Sequence, residues 1–480
     1  MINYLIILII FPLSAIRILR WVSILQQKEY RFDRLWLFLK TKEGNKELLK
    51  VLPRIDEITR VGLKRPVKTS RSIFLSALAF MTSTIFYLLV GNHDYGWVLS
   101  MLFYLFLPIL IVVINAPSEI IKFLLIQRSI AEAKSILKVG KPLIIGITGS
   151  YGKTTSKLLL THVLSNKYSV FCTPKSYNTK YSLPQSIINH YRNQEVAILE
   201  YAAYTLGEIE FLAKHFPPQM VAITGFTVQH LGLFGSEKNI INAKAELVLA
   251  LPKDGKLFCN AANPGVVKIC QAGGRHDFIA YTGERAAVFF EDVKLINGRL
   301  QFRWNGSQIK TNLIGLHYLD AVKLSIAVAE SLGLSQKEIV SALESFLPDS
   351  SFVRLQLMKG GALVIDDGFS SNPVGFKAAL ELLRSFANSG KRLYLLTGGI
   401  VDLGERSSAI HSELAKQASE FVDRVFYTGS VGKEEFQSIL AEKLVTDPVQ
   451  IDQEIDLLSN NQVILLEGRV TKSLEKKLGR

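Results

Sequence analysis

Leu143-Ile144-Ile145-Gly146-Ile147-Thr148-Gly149-Ser150-Tyr151-Gly152-Lys153-Thr154-Thr155 is the stretch whose reading decides the fold. Its first five residues form an unbroken apolar run, the pattern of a strand buried on both faces. Two more glycines follow, Gly149 and Gly152, and a helix is predicted from about Lys153 to Leu164. Strand, glycine loop and helix in that order are what phosphate binding requires. Glycines let backbone N–H groups converge on phosphate oxygens, the helix N-terminus adds its dipole, and Lys153 brings a point charge. Thr154 can place its hydroxyl on Mg²⁺. The loop therefore predicts an α/β domain that holds ATP through Gly149, Ser150, Gly152, Lys153, Thr154 and Thr155. The strict Walker spacing asks for Gly at position 147, where this chain has Ile147; its spacing is instead G-x-x-G-x-x-G-K-T-T.

Upstream of the loop the composition changes. Ser72 to Gly91 and Tyr95 to Ala116 contain no charged residue, and each is about long enough to cross a bilayer as a helix. Asn92-His93-Asp94 between them allows only a tight hairpin. Met1 to Ile16 is a third apolar run, carrying Pro12; it lacks a basic start and a clear small-residue cleavage site, which favours an uncleaved span over a signal peptide. Between Arg17 and Arg71 lie 15 Lys/Arg and 6 Asp/Glu, so this loop carries +9 of the chain's +14. Basic residues between apolar spans place the 17–71 loop in the cytoplasm, and with it everything from Pro117 onward. The expected location is the inner cell membrane, multi-pass, with the remaining domains cytoplasmic. Ser118 to Val139 is expected as a separate linker helix capped by Ser118.

Length and composition agree. The 480 residues exceed one core and leave room for two or three domains. The hydrophobic share of 48% and mean hydropathy of +0.23 exceed those of soluble enzymes this charged. No RNA- or DNA-reading motif accompanies the positive charge, so a nucleic-acid partner is not expected. Cys172, Cys259 and Cys270 are odd in number and lack metal-site spacing, and read as reduced thiols.

From Lys141 on, further motifs follow the phosphate loop in a fixed order. Ile198-Leu199-Glu200 ends a strand, Gln229-His230-Leu231 follows the next strand at Val221-Ala222-Ile223-Thr224, and Ala243-Lys244-Ala245-Glu246 comes after. In this order they resemble the Mur ligase family, and most closely its branch that adds D-alanyl-D-alanine. The resemblance implies ATP-dependent amide-bond formation through an acyl phosphate, in peptidoglycan precursor synthesis. It implies Lys153, Glu200, His230 and Lys244 as catalytic, with Thr154, Glu200, His230 and Lys244 holding Mg²⁺ at two sites and Lys244 carbamylated. Asn260, His317, Arg354 and Asp366 would contact the nucleotide. Asn178, Asp367 and Asn372 would contact the amine and carboxylate substrates. The expected architecture is α/β. Membrane helices (1–116) and the linker (117–140) precede a P-loop central domain (141–349), a mostly parallel sheet with helices on both faces. A Rossmann-like α/β C-terminal domain (350–480) follows.

The chain departs from that family in several places. Asn260 lies in Asn260-Ala261-Ala262-Asn263-Pro264, without the family's acidic positions, and Ala321 stands where the family has Asn. Tyr177 to Pro184 keeps Asn178 but has Thr179 and Ser182 at two family positions. Asp366-Asp367 and Asn372-Pro373 are retained, as are parts of the segment with Asp402 and His411. Membrane helices stand where the family's UDP-binding domain is expected, which raises a lipid-linked acceptor as one reading. A γ-glutamyl ligase of the folylpolyglutamate or poly-γ-glutamate type and a non-catalytic nucleotide-binding membrane scaffold remain alternatives.

Overall fold

A computed structural model describes residues 2–479 apart from 29, 41, 53–64, 229–233, 369–370, 388–389, 402 and 469. The chain divides into two units, Met1–Arg128 and Ser129–Arg480.

The first unit is helical. Helix α1 (Ile2–Gln27) is followed by the short α2 (Phe32–Leu39) and α3 (Lys42–Leu49), then α4 (Ser70–Val90) and the start of α5 (Gly96–Gly140). Leu5–Gln27, Ser70–Val90 and Gly96–Gly140 are long and apolar enough to cross a membrane. Helix α1 does not stop at Ile16 as the apolar run suggested. Arg17 donates through Nη1 to the Val51 carbonyl at 2.9 Å, and Arg20 pairs with Glu47, so both cations have partners and the helix continues past them. Thr69 and Ser72 cap α4 reciprocally. The expected break before Ser118 is absent, because α5 runs unbroken through Pro108 and Pro117. Ser118 Oγ donates back to the Asn115 carbonyl at 2.7 Å instead of capping a new helix.

The second unit opens with β1 (Leu143–Thr148), α6 (Lys153–Leu164), β2 (Val170–Cys172), α7 (Ser182–His190), β3 (Val196–Glu200), α8 (Glu208–His215) and β4 (Met220–Ile223). Then come α9 (Glu237–Leu249), β5 (Lys256–Asn260), α10 (Pro264–Ala272) and β6 (Ile279–Thr282). These strands make one parallel sheet in the order β2-β3-β1-β4-β5-β6. Ile145, Ile147, Ile198 and Ala222 are fully buried in it, which is why the strands read as continuous apolar runs. Helix α6 lays Leu159, Leu160, Val163 and Leu164 on the sheet, each fully buried and each contributing roughly 1.5–3 kcal/mol. An antiparallel sheet of β7 (Glu291–Ile296), β8 (Arg299–Trp304) and β9 (Ser307–Ile314) leads to α11 (Leu319–Ser331) and α12 (Gln336–Ser345).

The chain then forms β10 (Arg354–Leu357), β11 (Leu363–Asp367), α13 (Pro373–Arg384), β12 (Arg392–Thr397), α14 (Ser407–Ser419) and β13 (Arg424–Tyr427). It ends with α15 (Lys433–Leu440), β14 (Leu444–Val445), α16 (Pro448–Asp456), β15 (Gln462–Glu467) and α17 (Lys472–Lys477). This second large sheet runs β10-β11-β15-β12-β13-β14, parallel except for β10. One expectation fails in the core. Cys259 and Cys270, read as free thiols, are joined as a disulfide, while Cys172 is free. Helix α10 folds back on β5 and brings their Cα atoms to 7.6 Å.

Candidate active site at the carboxyl edge of the first sheet

In a parallel α/β sheet, ligands gather where neighbouring strands send their connections to opposite sides. Here that point is β1, flanked by β3 and β4, and its register sets Ile147 beside Glu200 and Thr148 beside Ile223. The loop Gly149–Gly152 leaves β1 at this edge. Gly149 has φ +156°, and a Cβ there would lie 2.1 Å from Thr224 Oγ1, so the approach of β4 requires glycine. Gly152 caps α6 at φ +76°, a left-handed conformation that costs other residues strain. The loop is tied back to β4: Ser150 N donates to Gly225 O at 2.6 Å, Ser150 Oγ to Thr227 O at 2.8 Å, and Thr224 Oγ1 to Tyr151 O at 2.5 Å. Among the described residues no side chain caps the start of α6. Its first-turn N–H groups therefore stand open beside the loop, the arrangement that binds phosphate.

Two lysines converge on the loop. Lys153 Nζ donates to Gly149 O at 2.9 Å and Ser150 O at 3.3 Å, and Lys244 Nζ reaches Gly149 O at 3.0 Å from α9. Burial lowers the pKa of Lys153, although Glu200 works the other way. Burial, then the charge of Lys153, lowers Lys244 to about 7. Lys244 is thus substantially a neutral amine at neutral pH.

Glu200, buried at the end of β3, is the hub of a second cluster. Its carboxylate accepts from Thr154 Oγ1 at 3.1 Å, Lys157 Nζ at 3.1 Å and Asn178 Nδ2 at 2.8 Å. Lys157, fully buried, also reaches the Lys175 carbonyl. The sequence reading overlooked this residue. It lies one helical turn after Lys153 on α6, so a lysine pair at i, i+4 facing a strand-end Glu was the available signal. The hydroxyl and carboxylate of Thr154 and Glu200 are hard oxygen donors of the kind Mg²⁺ takes together with substrate phosphates, so this pair fits one such ion. The ammonium form of Lys244 has no lone pair for a cation and its amine nitrogen suits Mg²⁺ poorly, whereas a carbamate there would offer oxygens. His230 lies outside the described residues, as do Asp402, Phe369 and Ser370.

The other expected residues lie further along the same edge or on the second sheet. Asn260 ties β5 to its neighbours, donating to Asp320 Oδ2 at 2.7 Å and accepting from Thr282 Oγ1 at 2.5 Å. His317 precedes α11, with burial lowering its pKa to about 4, so the ring is neutral. Arg354 on β10 pairs with Asp366 on β11 at 2.5 Å, and Asn372 caps α13 through Val374 N and Gly375 N. His411 is fully buried and accepts from Ile400 N at 3.0 Å.

Asp367 and the fully buried Glu467 are partners in register at the ends of β11 and β15. Burial, and secondarily the Asp366 charge, raises Asp367 to about 7 despite the opposing hydrogen bond with Glu467. Burial and then Asp367 raise Glu467 well above the ordinary range. Raised carboxyls keep their protons in the native state after the unfolded chain has lost them. Their stability contribution is therefore full below the ordinary aspartate value of 3.8 and is lost as pH climbs toward about 7. The thermal midpoint should fall between pH 5 and pH 8, and Glu467→Gln should remove at least half of that fall. Equal slopes for the two proteins would show that the pair does not titrate in this way.

A nucleotide-phosphate loop on a parallel sheet, followed by a second α/β domain, defines a class of ATP-using enzymes. Residues 147–329 match the Mur ligase middle domain and residues 353–470 match the Mur ligase glutamate ligase domain, together more than half of the sequence. The chain belongs to the Mur ligase family. It is 28% identical over 306 residues to the UDP-N-acetylmuramoyl-tripeptide--D-alanyl-D-alanine ligase of Bacillus subtilis, covering 62% of this chain and 65% of that protein. With the Mycobacterium bovis ligase of the same name it shares 30% identity over 304 residues, 61% of this chain and 60% of the relative. The chain thus spans less than two thirds of these curated relatives' length. Among solved structures it resembles MurF ligase from Thermotoga maritima in complex with ADP, with a TM-score of 0.65 and 25% identity. That likeness covers 74% of this chain and 82% of the other.

Proposed function

We propose that the chain is an ATP-dependent amide-bond-forming ligase of peptidoglycan precursor synthesis, adding D-alanyl-D-alanine or a similar amine to a muropeptide-type carboxylate. The observation that carries this is the convergence of Lys153, Thr154, Glu200 and Lys244 on one uncapped helix N-terminus. The acceptor's carboxylate oxygen attacks the γ-phosphorus of ATP, the bond to the bridging oxygen breaks, and ADP leaves. The amine nitrogen then attacks the acyl carbon, loses a proton, and phosphate departs. The first-turn N–H groups of α6 and the Lys153 ammonium face the charge that builds on the phosphoryl oxygens. Lys157 and Asn178 hold the Glu200 carboxylate in place. Mg²⁺, bound by Thr154 and Glu200, and at a second site by His230 and carbamylated Lys244, would supply charge neutralisation there. Lys244 in its neutral form can attack CO₂ through nitrogen and release one proton to give the carbamate. Asn260 and His317 would lie toward the nucleotide. Arg354, Asp366, Asp367 and Asn372, in a C-terminal domain of residues 350–480, would serve nucleotide closure and the amine substrate. Helices α1, α4 and α5 would span the bilayer with the second unit on the cytoplasmic side, as the basic 17–71 segment indicates.

The test uses the full chain in detergent with ATP, Mg²⁺ and pairs of acceptors and amines, reading phosphate release and product mass. Phosphate release should require both an acceptor and an amine. No release with any muropeptide acceptor would remove the cell-wall assignment. UDP-linked and lipid-linked acceptors run in parallel; turnover of the first with none of the second would discard the lipid-linked reading.

A further inference from the structure

The cations of the first unit are mostly engaged. Arg17 donates to backbone carbonyls, Arg20 pairs with Glu47, and Arg71 reaches Asn115, Ser118 and Glu119 at 2.7–2.8 Å. Arg65 and Lys68 differ. Both are exposed, and neither makes a side-chain hydrogen bond or ion pair among the described residues. Their backbone is nevertheless fixed in position, because their segment is laced to the end of α1. Gln26 Nε2 donates to Val67 O at 2.9 Å, Val67 N returns a bond to Gln26 Oε1 at 2.7 Å, and Ser23 Oγ donates to Arg65 O at 3.3 Å.

These two cations stand at a cavity of about 460 Å³ between α1 and α4, whose wall is otherwise mainly apolar and includes Ile18, Leu19, Ile73, Ala77 and Phe80. The cavity also receives Ser76, whose buried hydroxyl has no partner among the described residues. A hydrocarbon-lined groove ending in two cations that have no carboxylate partner among the described residues complements one kind of molecule: a tail that fills the groove and an anion at its head. We propose that this groove binds a lipid bearing a phosphate head, with its chain between α1 and α4 and its phosphate on Arg65 and Lys68. The proposal rests on α1 and α4 lying in a bilayer and is independent of the ligase reading.

The full chain in non-ionic detergent is exchanged into phosphatidic acid, into diacylglycerol with the same chains, or into inorganic phosphate, and retained ligand is read by native mass spectrometry. One phosphatidic acid should be retained at least about tenfold more strongly than diacylglycerol, with no inorganic phosphate retained. The double variant Arg65→Gln/Lys68→Gln should lower phosphatidic acid to the diacylglycerol level. Ala77→Trp, which fills the groove on an exposed helix face, should weaken both lipids at an unchanged thermal midpoint. Equal retention of the two lipids by the unaltered protein would overturn phosphate recognition. Phosphatidic acid binding indifferent to Ala77→Trp would overturn the groove. Failure of the chain to float with vesicles would remove the bilayer placement itself, a separate outcome.

Discussion

Glu200→Ala should lower ligation by roughly 100-fold or more, since it removes an expected metal ligand, and it should also destabilise the second unit by on the order of 3–5 kcal/mol. The second effect comes from what the carboxylate leaves behind. Lys157 is fully buried, and Glu200 is its only salt-bridge partner among the described residues, at 3.1 Å. Without it the ammonium keeps the Lys175 carbonyl and a 3.4 Å contact to Thr173 Oγ1 but no negative charge. A buried cation without its partner is far worse than an apolar residue of the same length. Glu200→Ala combined with Lys157→Met should therefore recover most of the lost stability, read by chemical denaturation, while ligation stays absent. Recovery of ligation in the double variant would mean that Glu200 serves structure alone.

Lys244→Ala should cost ligation on the order of 10²–10³-fold while leaving ATP binding near normal. Among the described residues Lys244 bonds the phosphate loop at Gly149 O alone, at 3.0 Å, and the loop's shape is set by β4 rather than by this contact. The chemistry attributed to Lys244 requires a neutral amine, and its pKa near 7 makes that form available. Protein equilibrated with ¹³C-labelled CO₂ should show a carbamate signal that grows as pH rises through about 7 and is missing in Lys244→Ala. Short-chain carboxylic acids should restore part of the activity of Lys244→Ala by occupying the vacated space. They should not restore Lys244→Met, whose side chain fills it. A signal unchanged by Lys244→Ala would discard the carbamate.

Much of the first domain was legible because its chemistry is local. The boundary between β1 and α6 could be read from glycines and an apolar run, and Glu200 from its place at a strand's end. Lys157 was missed because its burial depends on a partner 43 residues away. The same is true of Glu467, whose meaning comes from Asp367 across the strand pair β11–β15. Ser118 misled for a different reason: a serine after a charge-free run reads as a helix cap, yet its hydroxyl donates back to the Asn115 carbonyl inside a continuing helix. The disulfide was illegible since only the packing of α10 on β5 brings Cys259 and Cys270 together.

The bonds from Thr224 to the Thr148 and Tyr151 carbonyls have an entropic consequence. Together with the bonds that Ser150 donates through N and Oγ, they fix the loop against the end of β4 before any nucleotide arrives. A loop already held this way loses little freedom on binding. A phosphate group bound there is met by a mould rather than shaping one.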